Sequence, residues 1–217
     1  MTSTSTLSEH ESKALLARYG VPHAPERLVD SPDTAAAAAD ELGYPVAVKL
    51  CGASIAHKTE RGLVRLGLGD RGAVAGAAAA VLAAAGPDDG DVGVLVSAMV
   101  KGNRELIAGC VDDAVFGRCV MLGVGGILAE AIRDVTFRIT PLARVDAEEM
   151  VEDLATQALL GPFRGEPAVD RAALADVVMG LGEAFTAEAD AVSIDVNPLI
   201  VVDGRPVAVD ALVEVQR

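Results

Sequence analysis

The chain has 217 residues, of which 51% are hydrophobic and 23% charged, and its formal net charge is −14 at pH 7. These proportions are typical of a folded protein and exclude a disordered chain. The acidic balance argues against a protein that follows a nucleic-acid backbone. No run reaches the roughly 18 apolar residues of a membrane-spanning helix, and residues 1–8 lack the apolar segment of a secretory signal.

The three cysteines, Cys51, Cys110 and Cys119, have no metal-binding spacing. This pattern favours buried thiols in a reducing compartment, and we therefore expect a cytoplasmic protein.

The first part of the chain predicts helices alternating with strands. A Ser/Thr-rich tail at residues 1–6, expected to be disordered, precedes a helix that a capping box at Ser8 starts and Gly20 ends. Residues 1–20 form this tail and helix, and residues 21–90 form a first lobe that ends in a Gly/Pro/Asp turn cluster. The elements predicted in that lobe are strands at 27–29, 46–50 and 63–68 and helices at 31–43 and 73–85.

The second lobe, residues 91–217, predicts a larger share of strands. The predicted strands are at 92–99, 105–111, 118–122, 136–139, 192–201 and 206–213, and the predicted helices are at 127–133, 146–157 and 170–188. Asp146 is the expected N-cap of the middle helix, and Asp203-Gly204 turns the final hairpin. The whole pattern is that of an α+β fold in two lobes with mixed and antiparallel sheets.

A lysine lies inside the predicted buried strand 46–50. The ammonium of Lys49 needs a partner in such a strand, and no acidic residue is close in sequence. A bound phosphate would serve, and His57 and Lys58 in the following loop could reach the same anion. The alternatives are an edge-strand lysine whose amine reaches water and a solvated loop histidine.

A glycine-rich turn, Gly123-Val124-Gly125-Gly126, lies between a predicted strand and a helical turn. Glycines allow the backbone to approach a phosphate and to direct N–H groups at it. The alternative is a tight turn that needs positive φ angles. The spacing is neither that of a dinucleotide-binding fingerprint nor that of a Walker A loop.

Oxygen side chains cluster in the final predicted hairpin. Asp195 and Asn197 share one strand face because the side-chain period is two, and the hairpin brings Asp210 back beside them. Three oxygen ligands in otherwise apolar strands suit Mg²⁺ bound to a nucleotide. The alternative is an Asx-capped turn at the strand end.

Two further charged residues are candidates on weaker grounds. Glu105 could accept hydrogen bonds from ribose hydroxyls, and the default alternative for such a residue is a solvated strand position. Arg138 is a guanidinium in an apolar strand, which suits a phosphate during catalysis. Its alternative is a structural ion pair with Asp134 or Glu130.

Taken in chain order, seven stretches resemble the ATP-grasp domain in the β subunit of ADP-forming acyl-CoA synthetases, which are relatives of succinyl-CoA synthetase. The resemblance covers about residues 7–215. The stretches are Tyr44–Lys49, Ile55–Val64, Gly93–Val96 with Glu105–Gly109, Gly123–Glu130, Asp134–Arg138, Gly161–Pro167 and Asp195–Leu199.

The resemblance implies ATP or ADP and Mg²⁺ as cofactors, with the nucleotide in the cleft between the two lobes. It implies that Lys49 holds phosphates, that the backbone of Val96 and Ala98 lines the adenine, and that Glu105 meets the ribose. Mg²⁺ would be bound by Asn197 and Asp210, with Asp195 close by, and a loop histidine matching His57 would be transiently phosphorylated. The family's frequent hinge glutamate is Ser97 here, and the second glycine after the loop is Leu63.

The implied activity interconverts acyl-CoA, ADP and phosphate with carboxylate, CoA and ATP. These residues contain no CoA-binding module, so a separate α chain would hold CoA and the small carboxylate, in an αβ or α₂β₂ assembly. Two alternatives remain at this point: a stand-alone ATP-grasp carboxylate ligase and a non-catalytic nucleotide-sensing subunit.

Overall fold

The structure is a computed structural model that describes residues 4–53, 55, 61–126 and 129–216. It divides into two compact units. The first comprises the described residues of segments 5–11 and 24–99, and the second those of segments 1–4, 12–23 and 100–217. Among the described residues, no helix combines the length and apolar character that a membrane span requires.

The elements of the first unit are β2 (Glu26–Val29), α2 (Pro32–Leu42), β3 (Val46–Cys51), β4 (Val64–Leu68), α3 (Arg71–Ala83) and β5 (Gly93–Ala98). The strands form an antiparallel sheet in the order β2-β5-β3-β4. Val46, Val48 and Leu50 of β3 and Val94 and Val96 of β5 pack in one core with the alanines of α2 and α3. The buried strand expected at 46–50 is therefore confirmed.

Local signals explain where these helices start. Ser31 accepts from the backbone N–H of Thr34 at the start of α2, with Pro32 in the first turn, as the sequence predicts. Asp70 caps α3 in the same way through Ala73. The strand β5 pairs with both β2 and β3, so this unit extends to Met99 rather than ending at residue 90. Pairing across the turn cluster, which composition does not reveal, accounts for the difference.

The second unit contains an antiparallel sheet whose strands follow the order β11-β9-β6-β7-β8, with β10 also paired to β9. Its strands are β6 (Glu105–Asp113), β7 (Gly117–Val124), β8 (Val135–Ile139), β9 (Ala191–Val202), β10 (Arg205–Ala208) and β11 (Ala211–Gln216). Its helices are α4 (Ala129–Ile132), α5 (Arg144–Glu152) and α6 (Arg171–Ala187). The chain begins with β1 (Thr4–Thr6), where the sequence suggested disorder, and α1 (Glu9–Ala17).

The two faces of this second sheet differ. On one face, Cys110 contacts the Leu181 carbonyl of α6 and Thr136 donates to the Met150 carbonyl of α5. Leu106 and Ala108 are buried on that same face. Of the alternating positions of β6, Glu105 and Val111 are exposed on the face that these helices do not cover, and Ile107 is half-buried there. Side chains for a ligand are therefore available on the face opposite α5 and α6.

Two sequence expectations require correction in this unit. The strand expected at 206–213 is two strands, β10 and β11, because β9 exchanges one partner for the other between them. Helix α5 begins at Arg144, and Asp146 lies at its third position, from which its carboxylate accepts from the N–H of Ala143. Asp146 therefore caps the helix from inside the first turn and not as the N-cap.

Two helical glycines give opposite stability predictions. Gly76 in α3 has open space where a Cβ would be added, whereas a Cβ at Gly180 in α6 would collide with the Tyr19 carbonyl. Gly76→Ala should raise the free energy of unfolding by about 0.5–1 kcal/mol, because alanine loses less backbone entropy. Gly180→Ala should lower it by about 1–3 kcal/mol through overpacking.

Urea denaturation of the two variants and the parent chain measures both changes. The Gly76 variant is the control for helix propensity, because it receives the same substitution without the clash. Stabilisation of both variants would show that α6 does not approach Tyr19 closely.

Candidate functional site

The candidate metal ligands lie where β9 changes partner. β11 pairs with β9 from Ala191 to Val196, and β10 pairs with it from Leu199 to Val202. Between these ladders the N–H of Asn197 donates to the Asp210 carbonyl at 3.3 Å, and the N–H of Val209 donates to the Pro198 carbonyl at 3.0 Å. Asn197 and Asp210 are thereby adjacent.

Asp195 completes this group two residues before Asn197 on the same strand. Both side chains are exposed, whereas Ile194 and Val196 are buried between them, which agrees with the predicted alternation. The pKa of the Asp195 carboxyl is raised, although the side chain reaches solvent. The larger cause is the hydration that the carboxylate loses to the protein atoms around it, and the smaller cause is the negative charge of Asp210. A cation at this position would relieve both effects, so the donor set fits Mg²⁺.

Glu105 starts β6 on the same exposed face. It pairs with Ile200 of β9, and Asn197 precedes Ile200 by three residues. At about 3.3 Å per residue, Glu105 and Asn197 are about 10 Å apart along the sheet. This distance is short enough for one nucleotide whose ribose is bound at Glu105 and whose phosphates reach Asn197 and Asp210.

The glycine turn packs directly against Glu105. The N–H of Gly125 donates to the Glu105 carbonyl at 2.8 Å, and a Cβ at Gly125 would lie 3.0 Å from the Leu106 backbone. Gly126 has φ of 81°. The positive φ of Gly126 agrees with the tight-turn alternative, whereas the close approach of the Leu106 backbone explains Gly125. The turn also borders a cavity of about 520 Å³ whose lining includes Glu105. The contact of both glycines with a nucleotide stays a prediction.

The buried lysine of the first unit has a carboxylate partner. The Nζ of Lys49 lies 2.6 Å from Glu9 Oε1, and these side chains are 6% and 1% exposed. The sequence argument that Lys49 requires a phosphate is thereby corrected, because Glu9, from α1, already compensates its charge. Lys49 remains a candidate phosphate ligand, because an ammonium has three donors.

A second polar pair lies on the same sheet face. Glu26 is opposite Ser97 in the β2–β5 pairing, and its carboxylate contacts the Ser97 hydroxyl at 3.4 Å and His10 Nδ1 at 2.9 Å. Ser97 and Ala47 are paired neighbours, and Lys49 is two residues beyond Ala47, so all these side chains share the face opposite α2 and α3. Glu26 therefore supplies a carboxylate beside Ser97, the position at which the family often has a glutamate.

The predicted adenine contacts are in β5. Val96 pairs with Arg27 on one side and with Val48 on the other, so the ladders already occupy its backbone. The N–H of Ala98 donates to the Pro25 carbonyl at 2.9 Å. The contacts of Val96 and Ala98 with adenine stay a prediction, and for Ala98 the backbone group left for it is the carbonyl.

Arg138 is turned toward α5. Its Nη2 lies 2.7 Å from Asp153 Oδ2 and 3.3 Å from Glu149 Oε2. These bonds raise the pKa of the guanidinium further above its ordinary value. The partners differ from the Asp134 and Glu130 considered from sequence, but the arrangement favours a structural ion pair. It does not place Arg138 with the Glu105 and Asn197 side chains.

The predicted loop residues His57 and Lys58 lie outside the described residues. The described chain resumes at Arg61, whose guanidinium binds both carboxylate oxygens of Asp89 at 2.8 and 2.7 Å. These bonds, together with one from the Gly86 N–H, lower the pKa of Asp89 to about 2. The loop therefore joins the described structure at a residue held by a bidentate pair.

Sequence reasoning missed Glu9, Asp89 and Arg104 as framework residues. Glu9 is 40 residues from Lys49 in sequence, and nothing in the sequence pattern links the two. Arg104 is buried and forms an ion pair with Glu166. The sequence signals that could have suggested Arg104 are its position next to Glu105 and the presence of Glu166 in the 161–167 loop.

Within the described ranges, no three His, Cys, Asp or Glu side chains form a metal-binding group.

Comparison with known proteins identifies the class. Residues 2–215 match the ATP-grasp domain family, and the chain belongs to that family. The α+β ATP-grasp fold expected from the sequence is confirmed, as is the resemblance to ADP-forming acyl-CoA synthetase β subunits.

Particular relatives share most of the chain. The β subunit of acetate–CoA ligase [ADP-forming] I from Pyrococcus furiosus is 33% identical over 94% of this chain and 90% of its own. Acetate–CoA ligase [ADP-forming] I from Archaeoglobus fulgidus is 33% identical over 92% of this chain but only 30% of its own. Acetyl-coenzyme A synthetase 1 of Ca. Korarchaeum cryptofilum, solved with coenzyme A and Mg-AMPPCP, has a TM-score of 0.81. It is 32% identical and covers 96% of this chain and 92% of its own, and its phosphohistidine segment points towards the nucleotide site.

The Lys49–Glu9 pair predicts a strong coupling in stability. Lys49→Met or Glu9→Leu alone should lower the free energy of unfolding by about 3–5 kcal/mol, because each leaves a buried charge without this partner. The double variant should recover most of that loss. Urea denaturation of all four proteins measures the coupling, and strictly additive losses would contradict it.

Asp195 predicts a pH-dependent stability difference. Its pKa is higher in the folded chain than the ordinary value of 3.8, so ionisation destabilises the fold. This penalty is complete above the folded pKa and disappears below 3.8. Asp195→Asn should therefore stabilise the metal-free protein at pH 7, and the gain should vanish as the pH falls towards 3.8.

Urea denaturation at a series of pH values measures this difference, with Asp91→Asn as an exposed control. A stabilisation by Asp195→Asn that stays constant as the pH falls would contradict the electrostatic explanation.

Proposed function

We propose that this chain is the nucleotide-binding β subunit of an ADP-forming acyl-CoA synthetase of the acetate–CoA ligase type. One observation carries the proposal: Asp195, Asn197 and Asp210 meet at the partner change of β9, on the sheet that presents Glu105. The names of the relatives that share nearly the whole chain support the same activity.

The first step is nucleotide binding. Glu105 accepts from the ribose hydroxyls, and Lys49 donates to the phosphates while Glu9 holds its ammonium in place. Asn197 and Asp210 hold Mg²⁺, with Asp195 beside them. The metal ion supplies positive charge to the phosphate oxygens when it is bound. Mg-AMPPCP in the Korarchaeum enzyme supports this cofactor.

The second step is phosphoryl transfer to His57. One ring nitrogen attacks the γ-phosphorus of ATP, the bond from phosphorus to the bridging oxygen breaks, and ADP leaves with that electron pair. A neutral imidazole is a competent nucleophile near pH 7. The phosphohistidine then passes its phosphoryl group to a carboxylate, and CoA displaces phosphate from the resulting acyl phosphate. Every step is reversible.

The remaining substrates require a partner. We propose a separate CoA-binding α chain, which holds CoA and the small carboxylate in an αβ or α₂β₂ assembly. The support is that one relative of this length is named a β subunit, whereas in Archaeoglobus the matching region is 30% of a longer ligase. Buried thiols at Cys110 and Cys119 support a cytoplasmic location.

Labelling with γ-³²P-ATP and Mg²⁺ tests the phosphoryl step. The chain has three histidines, so the controls are complete. The parent chain, His10→Asn and His23→Asn should take up acid-labile label, and His57→Asn should take up none while still binding Mg-ATP.

Asp210→Asn should weaken Mg-dependent ATP binding in calorimetry by about tenfold or more.

Addition of the CoA-binding chain, a carboxylate and CoA should discharge the label as phosphate and form acyl-CoA. Acid-labile label that persists in His57→Asn would refute the histidine assignment. Tight ATP binding without label, even with the partner present, would identify a nucleotide sensor instead.

A further inference from the structure

The loop at residues 161–167 ends in a strained two-residue turn. Phe163 and Glu166 exchange backbone hydrogen bonds of 3.2 and 2.9 Å, and Arg164 and Gly165 between them have φ of 49° and 85°. Positive φ at both central positions defines a type I′ turn, which favours Asn or Gly at the first of them. An arginine at that position is strained, and such strain is typical of functional sites.

A buried arginine holds this turn in place. Arg104 donates from Nε to Glu166 Oε2 at 3.1 Å and from Nη2 to the Pro167 carbonyl at 2.7 Å. The other carboxylate oxygen of Glu166 accepts from the N–H and the amide of Asn103 at 3.0 and 2.6 Å. Because Arg104 directly precedes Glu105, the same clamp fixes the turn relative to the Glu105 carboxylate.

Arg164 and Glu105 line one cavity. Its volume is about 520 Å³, and its lining includes Gly126 and Phe163. The guanidinium carbon of Arg164 lies 5.2 Å from the centre of the Phe163 ring. In the part of the chain that the structure describes, Arg164 is exposed and has no ion pair with an acid. The clamped turn therefore presents a cation at the cavity.

We propose that Arg164 and Phe163 bind the nucleoside part of the nucleotide whose ribose Glu105 accepts. This inference rests on the proposed function. The phosphates extend from Glu105 along β9 to Asn197, whereas the turn lies beside Glu105 and Gly126, near the ribose and base. A guanidinium over an aromatic ring offers a flat cationic face on which a base stacks and N–H groups that donate to ring nitrogens.

The test uses Arg164→Gly, because glycine adopts the positive φ without strain. The variant should have a higher Tm than the parent chain and bind ATP and adenosine at least about fivefold more weakly. Its affinity for inorganic tripolyphosphate should not change. Competition of each compound with a fluorescent nucleotide gives the three affinities, and thermal unfolding gives the Tm.

The matched control is Asp203→Gly, because Asp203-Gly204 forms another turn with positive φ at two successive residues, 48° and 84°. That variant should bind all three ligands as the parent chain does. Parent-like binding of ATP and adenosine by Arg164→Gly would overturn the inference and leave the proposed function standing. A loss confined to tripolyphosphate would also overturn it. A parent chain that binds no nucleotide would instead refute the proposed function.

Discussion

The partner change along β9 is the constraint on which the site depends. Two short strands pair in succession with one long strand, and the backbone bonds at the changeover join Asn197 to Asp210 and Pro198 to Val209. An uninterrupted hairpin would have put Asp210 in a regular cross-strand pair, with its backbone groups in a continuous ladder. The interruption instead puts an amide and a carboxylate side by side at a sheet face. The register of β6 against β9 then sets their distance from Glu105, and hence the length of ligand that the face can hold.

Each of the two units contains a buried cation with a carboxylate partner. Lys49 has Glu9, and Arg104 has Glu166 together with backbone carbonyls. Each pair joins segments that are distant in sequence, and each compensates a charge that burial would otherwise make costly. In a chain of net charge −14, such pairs keep two cations inside the fold despite the acidic balance of the sequence. A nucleotide phosphate at Lys49 would add to an existing ion pair, not replace a missing partner.

Two local features reduce the stability of the second unit. The raised pKa of Asp195 reflects a carboxylate that the surrounding protein and Asp210 disfavour, and Arg164 occupies a backbone conformation better suited to glycine. Both lie at positions assigned to ligand contacts. A cation would relieve the first, and a base stacked on the guanidinium would compensate the second. In the proposed complex, ligand binding would offset both local costs, as is common in binding sites.

The sequence by itself determined the strand–helix order between α1 and β9, the capping of α2 by Ser31, the buried strand around Lys49 and the shared face of Asp195 and Asn197. These follow from capping, side-chain period and hydrophobic pattern, which act over a few residues. It also predicted the ATP-grasp family from seven ordered motifs. Tertiary structure alone decided that Glu9 is the partner of Lys49, that β5 belongs to the first unit, that Arg138 pairs with α5, and that Arg104 clamps the turn bearing Arg164. Those contacts join residues far apart in the chain, and local pattern carries no information about which of many possible partners a buried charge or a central strand will meet.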